Sequence, residues 1–150
     1  SIKDAAKKWN EYLDRDALSI ETIVGVPRTP KPDGYNIIYM MDQWEAAKAS
    51  EQARTTIYWT GDQIYEADIR INGGQTTSGT SYHQFSAEES VTAGTVDMLS
   101  LMVHELGHVL GLAHVSSEVD SVMHAHLSNG TPRRDVEEFD KSSLQCEYGS

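Results

Sequence analysis

Residues 98–114 read MLSLMVHELGHVLGLAH, and this stretch predicts a buried helix together with the chemistry that the helix carries. Met98 to Leu110 is apolar on nearly all sides, as in a buried helix, and Thr95 or Asp97 can cap its start. Four residues along an α-helix advance about 40° beyond a full turn, so His104 and His108 project from one face.

Gly111 provides the break that a third histidine needs. A glycine can adopt a left-handed conformation, end the helix and turn the chain back. We therefore expect His114 to approach the same point as His104 and His108 from a different direction. Three neutral imidazoles can hold a zinc ion at about 2.0–2.1 Å and leave a fourth position open for water, which is typical of a catalytic zinc.

Glu105 is displaced by about 100° around the helix from His104, so it can lie beside the ion without binding it. There it can act as the general base that takes a proton from the activated water. The competing interpretation is that these are ordinary buried histidines, because the HExxH pattern alone gives false matches. Three histidines, a glutamate and a glycine all in register favour one catalytic zinc held by His104, His108 and His114.

Composition limits the partners. The 150 residues fit one domain, and no apolar run approaches the roughly 18 residues that span a bilayer. A formal net charge of −11 would repel phosphate backbones, so we expect no nucleic acid and no membrane among the partners of a monomeric chain. The single cysteine, Cys146, excludes a disulfide within the chain, and we expect a small, semi-buried thiol in the last helix.

The remaining patterns predict an α+β chain. An amphipathic stripe marks an opening helix over residues 1–14, and three prolines mark a loop over 25–34. The further predicted elements are strands at 35–40, 55–60, 67–71 and 82–85, a helical segment at 42–54, loops at 73–80 and 115–132, and a final helix over about 134–145.

HELGHVLGLAH, followed by Ser-Val-Met at 121–123, resembles the metzincin clan of zinc peptidases, in which a methionine turn matching Met123 lies beneath the metal. Within that clan the chain is most similar to bacterial matrixins, through EADIRI at 66–71, SYHQF at 81–85, and Asp140 with LQCEYG at 144–149. The resemblance implies one catalytic domain over 1–150, with an upper part (1–114) and a lower part (115–150) that contains the methionine turn and the final helix. It implies a mixed, twisted sheet of about five strands with two helices packed on it.

The same resemblance implies a function: hydrolysis of internal bonds in protein or peptide substrates, by a protein that is secreted or held at the cell surface or in the periplasm. The start of the chain carries no signal-peptide pattern, as expected of a mature domain. Ser100 matches the position that sets the depth of the substrate pocket, and its small side chain implies a deep pocket for a large apolar residue. The implied cleft residues are Ser81, Tyr82, Ser100, Ala125, His126 and Leu127. Calcium sites are common in matrixins, but the sequence assigns no calcium ligands.

The chain departs from the matrixin pattern at several positions. His83 matches one ligand of a second, structural zinc, but no other histidine precedes His104, so we expect that zinc to be absent. Ala125 excludes a tyrosine ligand and replaces a proline of the pocket wall, and Val115 replaces a serine or threonine. Phe139 occupies the place of an aspartate that pairs with a freed N-terminus, so activation by that ion pair is not expected.

Some readings stay open. His124 and His126 could line the cleft or assist the oxyanion, although surface histidines in a loop are the simpler reading. The fold could serve a catalytically silent binding module, or the enzyme could act on a non-protein amide. Glu105 discriminates against the first of these two, because a silent module would be expected to lose the base or a ligand.

Overall fold

The computed structural model describes residues 1–25 and 29–148 and confirms the α+β class. Its elements are α1 (Ile2–Leu13), β1 (Ile38–Met41), a 3-10 turn (Ala46–Lys48), β2 (Ala53–Thr60), β3 (Gln63–Asn72), β4 (Phe85–Ser86), β5 (Val96–Asp97), α2 (Met98–Val109) and α3 (Glu138–Tyr148). Within the described ranges, none of the helices combines the length and the apolar character that crossing a membrane requires.

The chain divides into two compact units, each of which is described by itself. The helical unit comprises Ser1–Thr22 and Phe85–Ser150, and the sheet unit comprises Ile23–Gln84. The single catalytic domain with a boundary after residue 114 stays a prediction.

The sheet unit contains three strands in the order β1-β3-β2. β1 is parallel to β3, and β2 is antiparallel to β3 with a bulge at Tyr58/Trp59. The prediction of about five strands in one sheet was therefore too large, because β4 and β5 form a separate parallel pair in the helical unit. The predicted strand 82–85 is correspondingly reduced to Phe85–Ser86, while Ser81 makes only an isolated bridge to Gln75.

The predicted helical segment 42–54 was wrong except for the single 3-10 turn. The side-chain amide of Asn72, on β3, donates to the carbonyls of Ala49 (3.3 Å) and Glu51 (2.7 Å). These are carbonyls that a continuing helix would use for its own hydrogen bonds, so a tertiary contact overrides the local helical preference. In the predicted loop 25–34, residues 26–28 lie outside the described residues and 29–34 contain neither helix nor strand.

Buried carboxylates on β3 hold the chain that leads into β1. The Glu66 carboxylate accepts from the backbone N–H groups of Asp33 (2.8 Å) and Gly34 (2.7 Å), and Asp68 accepts from that of Ile37 (3.1 Å). Because buried carboxylates need such donors, they fix the approach of this segment to the sheet.

In the helical unit, α1 packs against α2 through Trp9, which is fully buried. Its indole N–H donates to the Val103 carbonyl at 2.9 Å. The start of α2 is capped by Asp97, one of the two predicted caps, whose carboxylate accepts from the N–H of Ser100 at 3.2 Å. α2 carries the residues of the predicted metal site.

The final helix begins at Glu138, about four residues later than predicted, and extends to Tyr148. Asp140 accepts from the N–H of Glu137 (3.0 Å), and Arg134 contacts Asp97 instead of starting the helix.

Cys146 is exposed, so the expectation of a semi-buried thiol was wrong. Gly149, part of the quoted closing motif, lies outside the described residues.

Candidate metal centre

The Nε2 atoms of three histidines converge on one point of the helical unit. They are separated by 3.1 Å (His104 to His108), 3.2 Å (His104 to His114) and 3.2 Å (His108 to His114). Two nitrogens on a tetrahedral zinc with bonds of 2.0–2.1 Å lie about 3.3 Å apart. The observed spacings therefore fit a zinc ion. Within the described ranges, this is the one group of three or more His, Cys, Asp or Glu side chains that could hold a metal, so calcium remains without assigned ligands.

Hydrogen bonds at the far side of two rings fix which nitrogen carries the proton. Nδ1 of His104 lies 2.8 Å from the Val122 carbonyl, and Nδ1 of His108 lies 2.7 Å from the Leu112 carbonyl. A carbonyl only accepts, so each Nδ1 donates and the Nε2 of a neutral ring carries a lone pair instead of a proton. These contacts orient the rings as carbonyl partners orient metal-binding histidines in general.

The charge state of the histidines points the same way. Burial lowers the pKa of His104 to about 3, and it also lowers the pKa of His108. Both rings are therefore neutral near pH 7, and their Nε2 lone pairs face each other at 3.1 Å. Two lone pairs at this distance repel unless a cation lies between them, so the donor set suits a metal better than a hydrogen-bonded network.

The end of α2 directs His114 toward the other two histidines. Gly111 has a φ of 93°, in the left-handed region, and its N–H donates to the His108 carbonyl at 2.9 Å. The Leu112 N–H then returns to the Gly107 carbonyl at 3.0 Å, which completes a Schellman motif. Because the same residue, Leu112, also offers its carbonyl to His108, the turn both ends the helix and orients a histidine.

Glu105 follows His104 on α2 and is only 5% exposed. A buried carboxylate that adjoins a candidate metal ligand in the sequence is unusual in a purely structural core. The general-base assignment remains a proposal.

The segment beneath the histidines is held by α3. Asp140, 1% exposed, accepts from the Val122 N–H at 3.0 Å and from the Ser121 hydroxyl. The Val122 carbonyl then accepts from His104, so a carboxylate on α3 supports a candidate ligand through one peptide unit. Sequence reasoning assigned no such role to Asp140 or Val122, and a backbone carbonyl leaves no signal in the sequence.

Met123 is buried against the underside of α2. A Cβ atom added at Gly107 would collide with its sulfur and would lie 3.1 Å from the ring of Trp9. Because Gly107 has no side chain, α2 can pack closely on Met123. The Met123 carbonyl also accepts from the N–H of Val115, just after His114, at 3.1 Å.

The predicted cleft residues fall into both units. Ser100 is buried, and its hydroxyl donates to Asp97 at 2.5 Å and accepts from the Arg133 N–H at 2.7 Å. In the loop after Met123, Ala125 and His126 are exposed and Leu127 is buried. Ser81 and Tyr82 belong to the sheet unit, where Ser81 pairs with Gln75 and the Tyr82 N–H donates to Gly74 at 3.0 Å. Their roles in a cleft stay predictions.

Several residues that depart from the matrixin pattern, or whose role the sequence left open, make contacts of a different kind. His83 Nε2 donates to the Ala49 carbonyl at 2.8 Å within the sheet unit. Phe139 is exposed, and the ammonium group of Ser1 contacts Asp4 at 2.8 Å. His124 Nε2 lies 2.6 Å from the Val119 carbonyl, so this histidine braces its own loop. Sequence reasoning missed Arg133, whose guanidinium group reaches the carbonyls of His124 and His126 and whose backbone N–H donates to Ser100.

Comparison with known proteins finds a family model that matches most of the chain and relatives that match part of it. A family model described as matrixin matches residues 4–149. Metalloendoproteinase 2-MMP of Arabidopsis thaliana is 43% identical over 61 residues, which are 41% of this chain and 16% of that protein. Metalloendoproteinase 5-MMP of the same plant is 41% identical over 54 residues, 36% of this chain and 15% of that protein. The matched segments thus span about one sixth of the length of these relatives.

Proposed function

Because the chain belongs to the matrixin family of metalloendopeptidases, we propose that it hydrolyses internal peptide bonds in protein or peptide substrates. His104, His108 and His114 are the zinc ligands in this proposal, and Glu105 is the general base. The observation that carries it is the set of three Nε2 atoms 3.1–3.2 Å apart, two of them with their lone pairs turned inward.

When bound, zinc supplies Lewis acidity, which polarises the scissile carbonyl and lowers the pKa of a water molecule to about 7. The carbonyls of Val122 and Leu112 keep His104 and His108 in the tautomer that presents Nε2 to the metal. The Glu105 carboxylate takes a proton from the attacking water and returns it to the nitrogen of the departing amine. Its burial keeps bulk water from competing for that proton.

Met123 forms the floor of the site in this proposal, as the methionine of a Met-turn. Its support is the packing of the Met123 sulfur under Gly107 and the bond from Val115, which connects the floor to the residue after His114. Since matrixins typically act outside the cell, we place the protein there as a monomer acting on extended polypeptides.

The test compares zinc content and cleavage of casein for wild type and Glu105→Gln. Wild type should bind one zinc and cleave casein. The variant should keep its zinc and lose about 10²- to 10⁴-fold in rate, the usual contribution of a general base. Glu118→Gln, which neutralises an exposed glutamate in the same unit, is the matched control and should retain full activity.

Each other outcome has a definite meaning. A Glu105→Gln enzyme within about tenfold of wild type would contradict the general-base role. Zinc bound by both proteins without cleavage of casein or of a diverse peptide library would favour the binding module. A wild-type protein that binds no zinc would refute the central assignment.

A further inference from the structure

The loop between Met123 and α3 is fastened to the start of α2. In this segment, residues 124–134, termed here the connecting loop, the N–H of Gly130 donates to the Thr95 carbonyl at 2.8 Å. The Asn129 amide reaches the Gly94 carbonyl at 3.2 Å. The guanidinium group of Arg134 binds both oxygens of Asp97, at 2.7 and 2.8 Å. These contacts attach the far half of the loop to the segment that caps α2.

Arg133 performs a different task, because it joins the two ends of the connecting loop. Its guanidinium Nη2 donates to the carbonyl of His126 at 3.1 Å and lies 3.4 Å from that of His124, at the start of the loop. Its own N–H, at the end of the loop, donates to the Ser100 hydroxyl at 2.7 Å. One residue therefore holds the beginning and the end of the loop together and attaches both to α2.

Both attachment points lie beside the candidate ligand His104. Ser100 precedes His104 by four residues on α2, so the two side chains project from the same side of the helix. The loop begins directly after Met123, and the preceding Val122 carbonyl binds His104 Nδ1 at 2.8 Å. The connecting loop thus starts directly after Met123 and is attached to α2 at Ser100, one helical turn before His104.

Arg133 is suited to a fixed position in this loop. It is half-buried, and burial lowers the pKa of its guanidinium group, so the group has lost part of its hydration. Carbonyl groups of the loop replace some of that water, and hydrogen bonds from a charged donor are stronger than those between neutral groups. Ala125 and His126, which the clamp spans, are exposed.

We infer that Arg133 is a positioning residue for substrate selection: it clamps the connecting loop into one conformation, and the clamped loop restricts which substrate side chain is accepted beside His104. The inference rests on the proposed peptidase function for its kinetic consequence. Its structural half, the clamp, stands on the three hydrogen bonds alone.

The test uses Arg133→Met, which keeps an unbranched apolar stem and the backbone N–H but removes the guanidinium donors, and Arg133→Lys, which keeps a charged side-chain donor. Arg54→Met is the matched control, because Arg54 is a partly buried arginine of the sheet unit that pairs with Glu45 and Glu51. All proteins are measured in the zinc-loaded form, with zinc content determined for each.

Two measurements are made. Hydrogen exchange followed by mass spectrometry should show amides of the connecting loop exchanging on the order of tenfold faster in Arg133→Met, with α1 and α2 unchanged. Cleavage of a peptide mixture varied at the residue after the scissile bond should show the preference for the best side chain over the worst falling about fivefold to tenfold. Arg133→Lys should recover part of both effects, and Arg54→Met should match wild type in both.

The clamp is overturned if Arg133→Met matches wild type in loop exchange and in selectivity. The role in substrate selection is overturned if the preference is unchanged, whether loop exchange is faster or all peptides slow by the same factor. A wild-type protein that binds zinc and cleaves no peptide would refute the proposed function instead. In that case the exchange rates alone decide whether Arg133 holds the loop.

Discussion

Replacing Asp140 with alanine should cost several times more stability than removing a surface ion pair, although Asp140 is not a candidate ligand. Its carboxylate is 1% exposed and accepts from the N–H groups of Val122 (3.0 Å) and Glu137 (3.0 Å) and from the Ser121 hydroxyl. Alanine offers no acceptor to any of these groups.

The magnitude follows from the groups that are left behind. The buried Val122 N–H, left without a partner, costs about 1–3 kcal/mol, and loss of the part-buried Glu137 bond adds about 0.5–1.5 kcal/mol, so the two together give about 1.5–4.5 kcal/mol. Domains of this size are stable by only about 5–15 kcal/mol, so the change removes a large share. Asp140→Asn keeps one oxygen for the N–H groups and loses mainly the strength of a charged acceptor, so about 1–2 kcal/mol is expected.

The assay is urea unfolding of the metal-free and zinc-loaded proteins, with Asp135→Ala as control. Asp135 is exposed and makes a surface ion pair with Lys8 at 2.7 Å, whose loss should cost less than about 1 kcal/mol. Zinc affinity of Asp140→Asn should fall about 10- to 100-fold, because the Val122 carbonyl that orients His104 is less firmly held. Equal stability of Asp140→Ala and Asp135→Ala would refute the reasoning.

Two further predictions concern α2. Gly107→Ala should lower the free energy of unfolding by about 1–3 kcal/mol, because the new Cβ meets the Met123 sulfur and the Trp9 ring. A loss under about 0.5 kcal/mol, measured by thermal unfolding, would show that the Met123 side chain moves aside instead. Burial alone would raise the pKa of Asp97, but hydrogen bonds from Arg134 and Ser100 hold that pKa below the usual 3.8. The ionised carboxylate therefore stabilises the fold fully above pH 3.8. This contribution to the free energy of unfolding is lost as the pH falls through the lowered pKa. Urea unfolding between pH 3 and 6 should therefore show a shallower acid loss in Asp97→Asn than in wild type, and equal slopes would contradict this assignment.

The two helices that the sequence predicts well, α1 and α2, are determined by residues within them or directly beside them. α2 is apolar on most faces, starts at its own cap, Asp97, and ends where Gly111 adopts a φ of 93°. α1 likewise has its own capping box, formed by Ser1 and Asp4, and its buried stripe of Ala5, Ala6 and Trp9 follows the helical period. Local sequence is sufficient for both helices, because neither boundary depends on a distant residue.

The elements that the sequence predicts poorly are decided from a distance. The segment 42–54 has helical composition, but Asn72 takes two of its carbonyls. The start of α3 was placed too early because nothing near Arg134 indicates that its guanidinium group binds Asp97, which lies 37 residues earlier in the chain. The number of strands in the sheet was overestimated for a related reason, since Phe85–Ser86 pairs with β5 and not with the sheet.

The histidine group shows the same division within one site. Its spacing, 104, 108 and 114, is visible in the sequence because it follows from helical geometry and one glycine. Its supports are not visible, because they are the main-chain carbonyls of Val122 and Leu112, which any residue could provide. Asp140 was noticed in the sequence only through the resemblance of the closing helix, and nothing there indicates that it holds Val122.

Those supports also create a repulsion that a bound cation would relieve. His104 and His108 each commit their one N–H to a carbonyl, which leaves two Nε2 lone pairs facing each other at 3.1 Å. Rotating either ring to place a donor between them would abandon a carbonyl instead, at a cost of about 1–3 kcal/mol for a buried group without a partner. A cation bound between the rings would remove this repulsion, so metal binding is expected to add to the free energy of folding. The packing of Trp9 and Met123 against α2, with Asp140 holding Val122, supports α2 and the Val122 carbonyl from outside the histidine group, so these residues hold the two rings in the orientation that suits a metal.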